Sequence, residues 1–143
     1  MKRNRIVVAA ALLLMVSCGE QANQSANGSE SSEVIDMSGP QVEVNVVSFS
    51  VENGNTEIEV INRTEESIIS VSGRLVFLDE NDSPLKTATG RQLDSPFQYA
   101  ATPSVVGSAS KKTVSLGNTI KEGTVSIRVE EVSAKTASGQ TIN

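Results

Sequence analysis

The sequence predicts an all-β domain, an antiparallel sandwich of about seven strands, over residues 41–143. Three observations predict it. Residues 41–143 hold 14 Val, 7 Ile and 10 Thr against 5 Leu and 6 Ala, a β-branched bias that favours the pleated, half-buried surface of a strand. Apolar residues alternate with polar ones in short runs, and turn-forming clusters separate the runs. About 100 residues is also the usual size of a seven-stranded sandwich, large enough to fold without disulfides.

Val42, Val44 and Val46 alternate, and the phase then moves to Val47, Phe49 and Val51, predicting a bulge or sheet switch near Val46-Val47. Asn53-Gly54 is a type I′ hairpin signal leading into a strand with Ile58 and Val60 inward. After a turn at 63–66, the longest strand puts Ile69, Val71, Gly73, Leu75 and Phe77 on one face. Gly73 within that face marks a bulge or a close approach of the opposite sheet. The 79–84 segment is turn chemistry, and Leu85, Thr87 and Thr89 read as the return strand. Residues 91–110 look irregular; a stretch this long is either functional or conceals a short strand. Later strands fall at Thr113–Leu116 and at Val125, Ile127 and Val129, continuing to Val132 and Ala134. A short last strand is expected at Gln140–Asn143.

Ahead of the domain the chain reads differently. Lys2, Arg3 and Arg5 precede an apolar run of 11 residues from Ile6 to Val16, too short beside the ~20 residues a membrane-spanning helix needs. Residues 1–17 therefore read as a secretory signal peptide. Residues 18–40, rich in Gln, Asn, Ser and Gly, read as a flexible tether with an r.m.s. span of roughly 25 Å over its ~20 residues. Loss of residues 1–17 removes three basic residues and no acid, leaving 9 basic against 17 acidic and a net charge of −8. That charge argues against nucleic acid or anionic headgroups as partners. Histidine and tryptophan are absent and there is one cysteine, which removes imidazole general bases and disulfide frameworks. No enzyme and no cofactor are expected.

The segment Leu14-Met15-Val16-Ser17-Cys18-Gly19 resembles the lipobox of bacterial lipoproteins. The resemblance implies that the Cys18 thiol carries diacylglycerol and that cleavage makes Cys18 the new N-terminus, so the bilayer is a partner through the acylated cysteine. Gly19, where an inner-membrane retention signal would have Asp, implies the outer membrane if the cell is Gram-negative. Within the domain, residues 57–64 and 73–82, with Leu75, Phe77, Leu78 and Asp79 at the motif's places, resemble the FxLYD-type immunoglobulin-like domains of prokaryotic envelope proteins. That likeness implies a small immunoglobulin-like antiparallel sandwich with no catalytic residues. The leading expectation for function is a non-catalytic envelope module that binds a protein or a glycan, and the alternative is a weak Ca²⁺-dependent binder or a carboxylate-based enzyme using the 79–83 turn.

Candidate sites are few. Asp79, Asn81 and Asp82 put several oxygens on one turn, a weak candidate for Ca²⁺, although the EF-hand spacing fails because the twelfth place is Gly90. Glu65-Glu66 and Glu130-Glu131 are carboxylate pairs of the kind glycoside hydrolysis uses, but that chemistry also needs a cleft with stacking aromatics. The chain has 4 aromatic residues in all. Phe97 and Tyr99 are candidate partner-binding residues; alternatively Phe97 plugs the sandwich and Tyr99 makes a corner hydrogen bond. Asn62-Arg63-Thr64 matches a glycosylation pattern without a context to use it. Lys111-Lys112 reads as an edge guard.

Overall fold

The computed structural model describes residues 30–31 and 34–143. Its strands are β1 (Glu30–Ser31), β2 (Val42–Ser50), β3 (Asn55–Asn62), β4 (Ile68–Leu78), β5 (Asp94–Ala100), β6 (Ser110–Gly117), β7 (Ser126–Thr136) and β8 (Thr141–Ile142). One sheet has the order β1-β6-β3-β2 and the other β5-β4-β7-β8, with every pairing antiparallel. This is an antiparallel β-sandwich with an immunoglobulin-like strand order. The core lies between the sheets, where Ile58 and Val60 of one face Leu75 and Phe77 of the other, all at 0% exposure. Loops 51–54, 79–93 and 118–125 gather at one end, and loops 63–67, 101–109 and 137–140 at the other.

The bulge falls where the alternation changes phase, with the β2–β3 register shifting between Val46 and Ser48. Val47 is the extra residue, so it turns out to solvent at 57% exposure and the inward phase resumes only at Phe49. Val51, expected inward, lies in the turn and is exposed. That turn is not type I′: Ser50 pairs with Asn55, four residues intervene, and of these only Gly54 has positive φ, at 58°. Gly54 is required there twice over, because a Cβ would also sit 2.6 Å from the Asn118 carbonyl oxygen.

In β4 a register shift between Ile68 and Ser70 carries Ile68, rather than Ile69, into the core. A second shift falls at Gly73, but the extra residue belongs to β7, where Glu131 has φ 54°. The close approach at Gly73 comes from its own sheet: a Cβ there would lie 2.9 Å from the Phe97 ring of β5. The return strand is β5, hidden within the stretch that looked irregular, and not Leu85, Thr87 and Thr89. Leu85 only bridges Phe77 and Leu93 through single backbone hydrogen bonds, and Thr87–Gly90 is a turn. Pro96 masks β5 in the sequence, and it is tolerated because β5 is an edge strand. Val125, expected inward, precedes β7 and is 59% exposed. The short last strand forms as β8, against Ala134 and Lys135.

Candidate functional site

The chain enters the domain through a clasp built on Arg63. Its Nε donates to the Asp36 carbonyl at 2.7 Å and a terminal nitrogen to the Pro40 carbonyl at 3.1 Å. The other terminal nitrogen pairs with Glu43 at 2.8 Å, and the Arg63 side chain is only 11% exposed. Asp36 is shaped for this by its own turn, accepting from the Ser38 amide and hydroxyl, which hold its carboxyl below the ordinary range. Gly39, at φ 138°, lets the guanidinium pass within 3.2 Å of where a Cβ would be. The asparagine amide of Asn45 and then Arg63 likewise hold the Glu43 carboxyl below its usual value. Residues 36–40, the end of the expected tether, are thus fastened to the sandwich. Cys18, residues 1–17 and the tether as far as 29 lie outside the described residues.

Phe97 and Tyr99 stand on β5 beside a cleft of about 330 Å³ between the outer edges of β5 and β6, lined also by Gln98, Ser115, Leu116 and Asn118. The Phe97 ring is taken up by the core at 7% exposure, lying over Gly73, so it cannot be presented to a partner. Tyr99 is half-buried against the core. Its hydroxyl makes no hydrogen bond among the described residues.

Two side-chain oxygens of the 79–83 turn are engaged within the protein. Asp79 Oδ1 accepts from the amides of Asn81 at 2.8 Å and Ser83 at 3.0 Å. Asp82 takes φ 61° and accepts from the Ser126 hydroxyl at 3.4 Å. Asn81, the third candidate, contributes its backbone amide. Among the described residues no three His, Cys, Asp or Glu side chains converge as a metal site would require. The carboxylate pairs are also separated: Glu130 binds Arg128 and Glu131 binds Arg74, whose guanidinium also holds Asp94. Glu66 accepts from Ser138, and the Ser138 and Thr136 hydroxyls hold its carboxyl below the usual value.

Asn62, noted in the sequence only for its glycosylation pattern, is a buried polar residue at 0% exposure. Its Nδ2 donates to the Glu66 and Gly107 carbonyls, each at 2.7 Å, while its Oδ1 accepts from the Thr64 amide and hydroxyl. The Asn-x-Thr spacing was the signal, and its meaning is a buried knot that ties the β3–β4 turn to the loop before β6.

On the opposite side, a groove of about 400 Å³ runs between β2 and β8, with Val42, Val44, Val132 and Ile142 in its walls. Both strands are sheet edges. Among the described residues β8 pairs only with Ala134 and Lys135, and the rest of the outer edge of β7 has no strand partner there. No family model, curated protein or solved structure matches the chain, and the likeness to FxLYD-type domains rests on the residues quoted for it.

Proposed function

We propose that this chain is a lipid-anchored protein of the bacterial cell envelope whose sandwich is a non-catalytic module binding another envelope protein or a glycan. The observation that carries the reading is Leu14-Met15-Val16-Ser17-Cys18-Gly19, with the chain's only cysteine directly behind a basic start and an 11-residue apolar run. Several acyl chains on Cys18 hold where a single one would not, since each buried methylene contributes about 0.8 kcal/mol. Gly19 favours the outer membrane where there are two. The groove between β2 and β8 supports the binding role, because apolar walls beside open strand edges suit an extended segment added at the edge.

The test is fractionation of cells making the Cys18→Ser chain. The protein is expected to move from the membrane to the soluble fraction with its melting temperature unchanged. Persistent membrane association of that variant would overturn the anchor.

A further inference from the structure

The strap ahead of β2 crosses one end of its sheet. Glu30 and Ser31 pair with Lys112 and Lys111 of β6. Val34, Ile35 and Asp36 then line a small cavity of about 210 Å³ together with Glu59 and Ile61 of β3 and Lys111 of β6. Arg63 holds the next stretch by the Asp36 and Pro40 carbonyls and by the Glu43 carboxylate, and its backbone amide donates to the Gln41 carbonyl at 2.8 Å. The chain therefore passes β6 and β3 before it enters β2. We propose that this strap, locked by Arg63, is the load-bearing junction of the domain: it takes tension arriving along the N-terminal tether and keeps it off the β2–β3 ladder.

The register shows what such a junction protects. β2 begins opposite the end of β3, with Val42 facing Asn62. Tension applied at Gln41 alone would act on that first pair and then on each one after it, opening the antiparallel hydrogen bonds in turn. Val42 and Val44 would leave the core with them. Arg63 stands directly after Asn62 and grips the chain at residues 36, 40, 41 and 43 together. Force entering at Asp36 thus passes to the end of β3, which pairs at every residue with both β2 and β6.

The grip itself is strong and braced. Hydrogen bonds from a guanidinium are charge-assisted, about twice as strong as neutral ones, and little water competes for a side chain only 11% exposed. Bonds that share a load must break together, whereas bonds in series break one by one. Behind Arg63, Asn62 donates to the Glu66 and Gly107 carbonyls, and the Ala109 amide donates to the Thr64 carbonyl at 3.0 Å. Those bonds spread the load from the β3–β4 turn to the loop before β6. On the strap side, Asp36 is stiffened by its hydrogen bonds from Ser38.

The role rests on the lipid-anchor reading, because a tether carries tension only when its far end is fixed. A partner held by the sandwich and the bilayer behind Cys18 then pull on opposite sides of this junction.

The test is unfolding at constant force in optical tweezers, on the full chain made without lipid. One handle is fixed to the thiol of Cys18, the only cysteine, and the other to the C-terminus, so that the measurement reads the unfolding rate under load. In this geometry Arg63→Ala is expected to raise that rate about tenfold. In a second geometry, Cys18→Ser with Glu52→Cys, the first handle sits on the exposed 51–54 turn and the force bypasses the strap. There Arg63→Ala is expected to raise the rate by less than about threefold. An equal rise in both geometries would overturn the proposal, because Arg63 would then only stabilise the fold. No rise in the first would overturn it too, because the clasp would carry no load. Arg63→Lys keeps a charge for Glu43 but offers one nitrogen where Arg63 uses three, and is expected to fall between the parent and Arg63→Ala. A Lys variant equal to the parent would count against the three-point grip. The measurement uses no lipid, so its outcome is independent of the fractionation of the Cys18→Ser chain.

Discussion

Asn62 makes four hydrogen bonds with no exposed surface. Asn62→Ala takes a donor from the Glu66 and Gly107 carbonyls and the acceptor from the Thr64 amide, although the Thr64 and Ser110 hydroxyls still reach those two carbonyls. It is expected to cost about 3 kcal/mol in urea unfolding, from weakened buried hydrogen bonding at about 1–3 kcal/mol for a group left unmet. A loss under 1 kcal/mol would mean the knot is dispensable. Gly73 and Phe97 form the other residue-scale unit. Phe97→Ala should cost about 3–5 kcal/mol for the cavity it opens. Gly73→Ala should destabilise on its own, since its methyl group would lie 2.9 Å from the ring, yet cost much less when Phe97 is already Ala. A double-mutant cycle reads this as a coupling above about 0.5 kcal/mol, and additive effects would contradict the ring-over-glycine packing. Gly73 was legible as a special place in the strand. That the ring of an edge strand fills it was not, because the pairing partner lies 24 residues away.

Among the elements, the bulge in β2 could be read from the change of phase alone, because a period of two leaves no other way to keep Val44 and Phe49 both inward. β5 could not, since Pro96 and polar alternates hide a strand whose only requirement is one neighbour, β4. The strap 36–40 is a third element, defined by a side chain and not by its own sequence pattern. Its clasp depends on carboxylates whose folded values are depressed, Asp36 by Ser38 and Glu43 by Asn45 and Arg63. A depressed carboxylate contributes stability that is present above its unfolded value and lost as pH falls through the folded one. Unperturbed carboxyls titrate at about 3.9 for Asp and about 4.3 for Glu, and both groups lie below their ordinary values in the fold, so the clasp should weaken as pH falls below that range and be lost at still lower pH. Protection of amides 36–40, taken relative to the intrinsic exchange rate at each pH, should therefore fall on acidification before the core opens, and Arg63→Ala should show the lowered protection already at pH 7. Strap protection that ignores both changes would show that Arg63 does not hold it.

At the scale of the whole molecule, the sandwich joins residues of both sheets in one core and engages one carboxylate of the 79–83 turn, that of Asp79, with the backbone amides of Asn81 and Ser83. Millimolar Ca²⁺ should leave the melting temperature within about 1 °C, whereas a ligand bound well above its dissociation constant would raise it by several degrees. A rise of that size, lost in Asp79→Asn, would restore the 79–83 turn as a metal site. The sequence by itself determined the all-β class and the main strands, because a period of two with β-branched residues specifies which face is buried regardless of the partner. It also carried the signal-like start and the single cysteine. Only the tertiary structure decided which sheet each strand joins, where Phe97 goes, why Asn62 is needed and how Arg63 fastens the entry. Those depend on contacts between residues far apart in the chain, such as Asn62 with Gly107 and Arg63 with Asp36, and local propensity carries no record of them.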